Sequence, residues 1–314
     1  MQLAKQFSFD LFRLNIVDFE DLFQRLDNQV LRGDNEIVAL LEKAANSSFD
    51  EQQQTRTAVF KWSIRDFNNY SDLSNNRPLL SLTLARSLLE KDGLIVTDEG
   101  VSSGTSYSSP APASAVICLF DLTRHLVAVE HSSDLYRTAW KDFIEKILEN
   151  AALSMQRASS IKLEPVPEQY GITRLFKSFD RITRMRLTLR IPNPELTRYT
   201  KSLYDDLVAA DIREITQDMK NPNGLSKSEE ARPYASAVIA EQGYKSGEVH
   251  FEGTIDDNFE SVSSGSKSAR GKISGLKDYI RGMSATAKTK ETKSALAAIT
   301  KEIDKIHPLV SENE

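Results

Sequence analysis

The chain has 314 residues, 40% of them hydrophobic and 27% charged, with a formal net charge of −5 and a pI near 5.6. That length allows one large domain or two smaller ones, and the acidic balance excludes a global electrostatic pull toward nucleic acid, so any such binding has to come from a local patch. No run approaches the roughly eighteen apolar residues of a membrane span, the first ten residues lack the order of a signal peptide, and the single cysteine, Cys118, excludes an internal disulfide or a Cys-rich zinc site. A cytoplasmic protein without a membrane span is expected.

Taken in order, Phe7, Phe9 and Leu11 alternate with Ser8 and Asp10, and then Phe12, Leu14 and Ile16 alternate with Arg13 and Asn15. The period of two predicts a strand, and its slip in phase between Leu11 and Phe12 requires either a bulge or burial on both faces. Leu22, Leu26 and Val30, then Ile37, Val38, Leu40 and Leu41, suggest two amphipathic helices broken at Arg32–Asn35, with Asp18 or Asp21 as a cap for the first. Thr57–Phe67 reads as a strand, and Leu79–Leu84 as a strand or a short helix. Residues 101–114 are small and polar with two prolines, which predicts a surface loop or linker.

Ala115–Phe120 and His125–Glu130 flank a four-residue connection and predict a β-hairpin. Cys118 sits inside it as a small buried hydrophobe. A helix from Asp134 to about Arg157 follows, then a strand at Ile161 that Pro165 would hold at an edge or end, then a helix over Glu168–Asp180. Arg181–Ile191 is the most informative stretch. Met185, Leu187, Leu189 and Ile191 alternate with Arg184, Arg186, Thr188 and Arg190, so a strand here sends apolar groups into a core and guanidiniums the other way, until Pro192-Asn193-Pro194 stops it. Helices over Pro194–Asp211 and Lys227–Glu241 and a strand over Gly247–Asp256 complete a lobe. Residues 256–274 have little to bury and read as mobile or partner-ordered. Ser284–Ile306 has high helix propensity and a thin apolar stripe among lysines.

These elements predict an α+β fold of two lobes of mixed or antiparallel sheet packed with helices, plus a C-terminal helix on a basic linker. The expected division is 1–100 as an N-terminal lobe, 101–114 as a loop or linker, 115–256 as a C-terminal lobe carrying the basic strand, 257–275 as a flexible basic linker and 276–314 as the C-terminal helix.

No catalytic signature of comparable quality is present, so neither an enzymatic step nor a cofactor is expected. Gly265–Ser274 resembles a phosphate-cradling loop, but five residues separate its glycines and Ile273 stands where a Ser or Thr would hold magnesium. Glu248, His250 and Glu252 share one strand face that a metal could use; a solvated face, with these acids balancing the arginines of a neighbouring strand, explains them as well. His131, Ser132 and Ser133 are adjacent in sequence, which turns them in different directions and argues against a nucleophile–base pair.

Charge is uneven along the chain. Arg174, Lys177, Arg181, Arg184, Arg186, Arg190, Arg198 and Lys201 face only Asp180 and Glu195 between Gly171 and Lys201, and a second basic excess, which includes Lys267, Arg270 and Lys272, runs from Ser264 to His307. Arginine outweighs lysine in the first, which favours forked contacts to phosphates, and the absence of interleaved aromatics favours a duplex backbone over single strands. The candidate nucleic-acid-binding residues are therefore Arg174, Lys177, Arg181, Arg184, Arg186, Arg190 and Arg198, with Lys267, Arg270 and Lys272 on the linker. No metal ligands are assigned.

The hairpin Val116–Glu130, the long helix after it, the Ile161 strand and Arg-Leu-Thr-Leu-Arg-Ile-Pro-Asn-Pro194 together resemble a group of bacterial defence-island proteins of unassigned activity and, more distantly, the RexA-like phage-exclusion proteins. The resemblance covers roughly residues 115–256. It implies a two-lobed α+β homodimer that binds double-stranded DNA without strong sequence preference in anti-phage defence. The alternative is a subunit of a multi-protein defence complex that engages a second protein through the C-terminal helix.

Overall fold

A computed structural model describes residues 6–18, 33–73, 77–136, 138–166, 171–190, 210, 212, 214–241, 249–256, 258–263, 268–275, 277–282 and 289–308. Its elements run β1 (Phe7–Asp18), α1 (Asp34–Ala44), β2 (Glu51–Gln54), β3 (Ala58–Asn69), β4 (Leu79–Thr97), β5 (Gly100–Tyr107), β6 (Ala113–Asp121), β7 (Leu126–Glu130), α2 (Ser133–Tyr136), α3 (Trp140–Ser154) and β8 (Ser159–Pro165). The chain continues as α4 (Gly171–Ser178), β9 (Arg181–Arg190), β10 (Glu214–Lys220), α5 (Arg232–Glu241), β11 (Val249–Ile255), β12 (Asn258–Ser263), β13 (Arg270–Ile273), α6 (Lys277–Gly282) and α7 (Lys290–Ile306).

Among the described residues these strands form two antiparallel sheets, so the α+β class is as expected. The larger has the order β13-β1-β7-β6-β4-β3-β2, with β5 added to β4 and β8 added to β1. The phase slip in β1 is resolved by burial on both faces. Phe7, Phe9 and Leu11 enter a core with Ile280, Ile299 and Ile303 of α6 and α7, whereas Phe12, Leu14 and Ile16 enter the core on the other face with Ile37, Leu40, Ile144 and Leu148 of α1 and α3. Strict alternation puts odd and even residues on opposite faces, so a strand apolar in one phase and then the other suits a sheet with helices on both sides. β6 and β7 do the same: Ile117, Leu119, Leu126 and Ala128 face one core, and Val116, Cys118, Phe120, Val127 and Val129 face the other.

The larger sheet crosses the expected domain boundaries. β1 pairs with β7 and β8 and β4 pairs with β6, so strands from residues 1–100 and 115–165 share one sheet. The segment 101–114 is not a linker, because Gly100–Tyr107 pairs in register with Thr97–Glu90 as a hairpin; its small polar side chains suit a ribbon with little to bury. Within the expected flexible linker 257–275, residues 258–263 pair with β11 and 270–273 pair with β1. The C-terminal helix is likewise part of the body. Leu296, Ile299 and Ile303 of α7 are buried, each contributing about 1.5–3 kcal/mol through removal of its side chain from water. The apolar stripe of this helix, which the alternative reading has engage a second protein, is thus covered by the protein's own sheet.

Ion pairs fasten the end of α7. Arg77 Nη1 donates to Asp304 Oδ2 at 2.8 Å and its Nη2 to Oδ1 at 2.9 Å, while Arg77 also pairs with the buried Asp121. Arg124 Nη1 donates to Asp304 Oδ1 at 2.9 Å, and Arg13 Nη1, wholly buried, donates to the Arg124 carbonyl at 2.7 Å. Burial alone would raise the Asp304 carboxyl, but the bonds from Arg77 and Arg124 outweigh it and hold Asp304 below the usual carboxylate range.

The smaller sheet has the order β10-β9-β11-β12. Ile182, Met185 and Leu187 of β9 and Val249 and Phe251 of β11 meet Ile172 and Phe176 of α4 and Ala237 and Ile239 of α5 in a separate core. Phe251 anchors it, with the rings of Phe176 and Phe179 at 6.1 and 6.0 Å. The helix expected over Lys227–Glu241 begins at Arg232, where Pro233 occupies the first turn that a proline tolerates. The long helix expected after the hairpin is divided into α2 and α3. The helices expected near Leu22–Val30 and over Pro194–Asp211 lie outside the described residues, apart from Ala210.

Candidate nucleic-acid interface

All described helices of the small lobe lie on one side of its sheet, and none of the described residues covers the other face of β10-β9-β11-β12, the open face. Register assigns the residues on that face. Arg181 pairs with Thr254, Arg184 with Glu252 and Arg186 with His250 across β9 and β11, and Asp218 lies opposite Arg186, Thr216 opposite Thr188 and Lys220 opposite Arg184 across β10. On the far edge, Phe259 lies opposite Thr254, Ser261 opposite Glu252 and Ser263 opposite His250. A bulge between Glu252 and Gly253 keeps this assignment coherent: the extra residue, Thr183, bonds through its hydroxyl to the Glu252 carbonyl at 3.1 Å, so Arg181 and Arg184 reach the same face. Gly253 is required there. A Cβ at that position would fall 2.0 Å from the Arg181 carbonyl oxygen.

The three arginines on this face whose side chains are described, Arg181, Arg184 and Arg186, differ in what they touch. Arg184 is held by two carboxylates. Its Nε and Nη2 donate to Asp218 Oδ1 and Oδ2, both at 2.9 Å, and its Nη1 donates to Glu252 Oε1 at 3.2 Å. Hydrogen bonds from Arg184 first, then from Lys220, hold the Asp218 carboxyl down to about 2. Glu252 is also lowered, chiefly by its hydrogen bond to His250 and then by the Arg184 charge. The His250 ring spans Glu252 Oε1 at 3.0 Å and Ser263 Oγ at 2.8 Å. Arg181 and Arg186 are exposed and are in no ion pair among the described residues. Thr188 and Thr216 complete the face through a hydroxyl contact of 3.2 Å.

The other predicted basic residues are not gathered here. Arg174 and Lys177 lie on α4, in the helical layer behind the sheet, and Lys177 is engaged by Glu229 at 3.4 Å and by the Tyr234 ring at 5.3 Å. The expected single patch is therefore divided between two layers, because α4 must turn Ile172 and Phe176 toward the sheet and carries its cations away from the open face. Arg270 belongs to β13 of the larger sheet, where its Nε donates to Asp10 Oδ1 at 2.7 Å while His131 Nδ1 lies 2.9 Å from Asp10 Oδ2. Lys272 is exposed on the same strand, and its backbone N–H bonds to Glu302. The Arg190 side chain, Arg198 and Lys267 lie outside the described residues.

The sequence reading missed β10, and with it Asp218 and Lys220. Ile215 and Met219 alternate with Thr216, Asp218 and Lys220, but the polar Gln217 on the inward face, which receives a bond from Ser236 at 2.9 Å, masks the period.

Other chemistry finds less support. Among the described residues no group of His, Cys, Asp and Glu is placed to hold a metal ion; Glu248 lies outside them. Burial pushes the Cys118 thiol far above its ordinary range, so it is not poised as a nucleophile. No helix of the described residues is long and apolar enough to cross a membrane.

Compared with known protein families, residues 108–272 match a domain of unknown function, DUF4747. The matched segment is just over half of the chain and runs from the start of β6 through the whole small sheet into β13. No curated protein matches the chain.

Proposed function

The chain belongs to the DUF4747 family, and from its own surface we propose that it binds double-stranded DNA, without strong sequence preference, through the open face of the small sheet. The observation that carries the reading is the placement of Arg181 and Arg186, two exposed guanidiniums on one sheet face and in no ion pair among the described residues. A guanidinium whose fork is not occupied by a carboxylate presents paired donors to phosphate oxygens. Thr188, Thr216, Ser261 and Ser263 add neutral donors beside them, which suit sugar and phosphate contacts that position a duplex without reading its bases.

In this reading Arg184 is a scaffold rather than a contact, because Asp218 and Glu252 already fill its fork. A single large aromatic, Phe259, stands on the described face, 67% exposed at its edge. A surface for single strands would offer a series of stacking rings, so a duplex backbone is the better fit. The proposal includes no catalytic step. The anti-phage setting is supported by the resemblance to RexA-like phage-exclusion proteins alone.

The test is a fluorescence-anisotropy titration of the full chain with a labelled duplex at two salt concentrations, repeated with R181Q/R186Q. Binding that weakens with salt and weakens further in the variant supports the reading; no binding at low salt, or equal binding by the variant, overturns it.

A further inference from the structure

The hairpin of β4 and β5 stands out from the larger sheet. The support of β3 ends at Lys91, opposite Ala58, and at a bond from the Asp92 N–H to the Thr57 carbonyl at 2.8 Å. Beyond that point residues 93–104 form a two-stranded ribbon, and among the described residues β5 has β4 as its only strand neighbour. A ribbon of two strands is marginal in water unless one face is covered.

Among the described residues nothing covers the apolar side chains on one face of this ribbon, which Glu90 and Asp92 share. The pairs Glu90–Tyr107, Asp92–Thr105, Leu94–Ser103 and Val96–Val101 lie on one side. Leu94, Val96, Val101 and Tyr107 are 77%, 82%, 65% and 72% exposed. The opposite side is thin, with Ile95 lying over Gly104, where an added Cβ would fall 2.5 Å from the end of the Ile95 side chain.

The distribution of charge identifies the occupant. Glu90, Asp92, Asp98 and Glu99, with Lys91 as the one base among them, all sit on β4 and the turn, whereas Gly100–Tyr107 contains no charged residue and no proline. Free edges are ordinarily protected by such residues. An uncharged edge on an acidic arm is matched to an identical edge, since pairing β5 with β5 brings no like charges opposite each other and keeps the acids on the outside.

We propose that β5 of one copy pairs antiparallel with β5 of a second copy, joining the two hairpins into one four-stranded sheet. Full overlap of Val101–Tyr107 with itself places Gly104 opposite Gly104 and Val101 of one copy opposite Tyr107 of the other, a β-branched and aromatic pair of the kind that stabilises antiparallel ladders. Both apolar strips then share one face of the joined sheet. The inference is independent of nucleic-acid binding, which uses the other sheet.

Sedimentation equilibrium of the full chain tests it, with V101K/S103K as the variant. The wild type is expected to be a dimer at micromolar concentration and the variant to associate at least tenfold more weakly, with an unchanged circular dichroism spectrum because neither residue enters a core. A second measurement does not depend on that variant: mixed S103C and T105C chains, oxidised together, should form a disulfide-linked dimer, while S226C alone should not, and the buried Cys118 does not interfere. A wild type that is monomeric at every concentration, a V101K/S103K dimer as tight as the wild type, or no cross-link between the mixed chains overturns the proposal.

Discussion

Arg184 and Asp218 face each other across β9 and β10 in a two-pronged ion pair, Nε to Oδ1 and Nη2 to Oδ2, each at 2.9 Å. Asp218 lies opposite Arg186 in register yet gives its oxygens to the diagonal Arg184, so the two arginines do different work. D218N releases the Arg184 fork and removes a negative charge from the open face. The variant is therefore expected to bind duplex DNA more tightly, on the order of tenfold at low salt, as read by anisotropy; weaker binding would count against a phosphate-facing surface.

The same pair makes a prediction about ionisation. Arg184 holds the Asp218 carboxyl at about 2, against an ordinary 3.8. Carbon-detected NMR titration should find this depressed value in the wild type and a rise toward 3.8 in R184Q. The sign follows from the depression: the Asp218 contribution to stability is present above the ordinary value and is lost as pH falls through the lower one. Both groups are solvent-facing, so the shift in the titration curve is the readout.

G253A tests the bulge that orients the arginines. Its new methyl would meet the Arg181 carbonyl at 2.0 Å and Ile182 Cα at 2.9 Å, both backbone atoms that cannot swing aside. A loss of roughly 1–3 kcal/mol in denaturant unfolding is expected, typical of overpacking. A variant as stable as the wild type would mean that β9 and β11 are not this close.

D304N tests the attachment of α7. The substitution removes the carboxylate shared by Arg77 and Arg124, and a cost of about 1–3 kcal/mol is expected, as for hydrogen bonds to charged groups. Asp304 titrates below its ordinary value of 3.8 in the folded chain, so its contribution is intact above that value and fades as pH falls below it. The stability gap between wild type and D304N should accordingly be widest near neutral pH and narrow in acid.

Local alternation carried much of the fold. β1, the β6–β7 hairpin and the buried side of β9 at Met185 and Leu187 are legible because their apolar residues keep a period of two, and the phase slip in β1 allowed either a bulge or burial on both faces, the second of which the structure has. What was not legible depends on distant partners. β12 and β13 look like tether because Ser, Gly and charged residues dominate them, yet the edges of β11 and β1 order them. The stripe of α7 shows an amphipathic helix without showing that its partner is Phe7, Phe9 and Leu11, nearly the whole chain away. For the candidate site, alternation identified the arginine face, and Glu252 was foreseen as a balancing acid. Asp218 was not, because Gln217 hid its strand, and Arg174 and Lys177 were grouped with the face by sequence proximity although a sheet separates the two layers.

The most direct test of the proposed nucleic-acid surface is the salt dependence of duplex binding by the wild type and by R181Q/R186Q. Each phosphate contact contributes about 0.9 to the slope of log K against log salt, so removing two contacts should flatten that slope by about 2 and weaken binding uniformly across unrelated sequences. A slope and affinity unchanged by the double substitution would contradict the account.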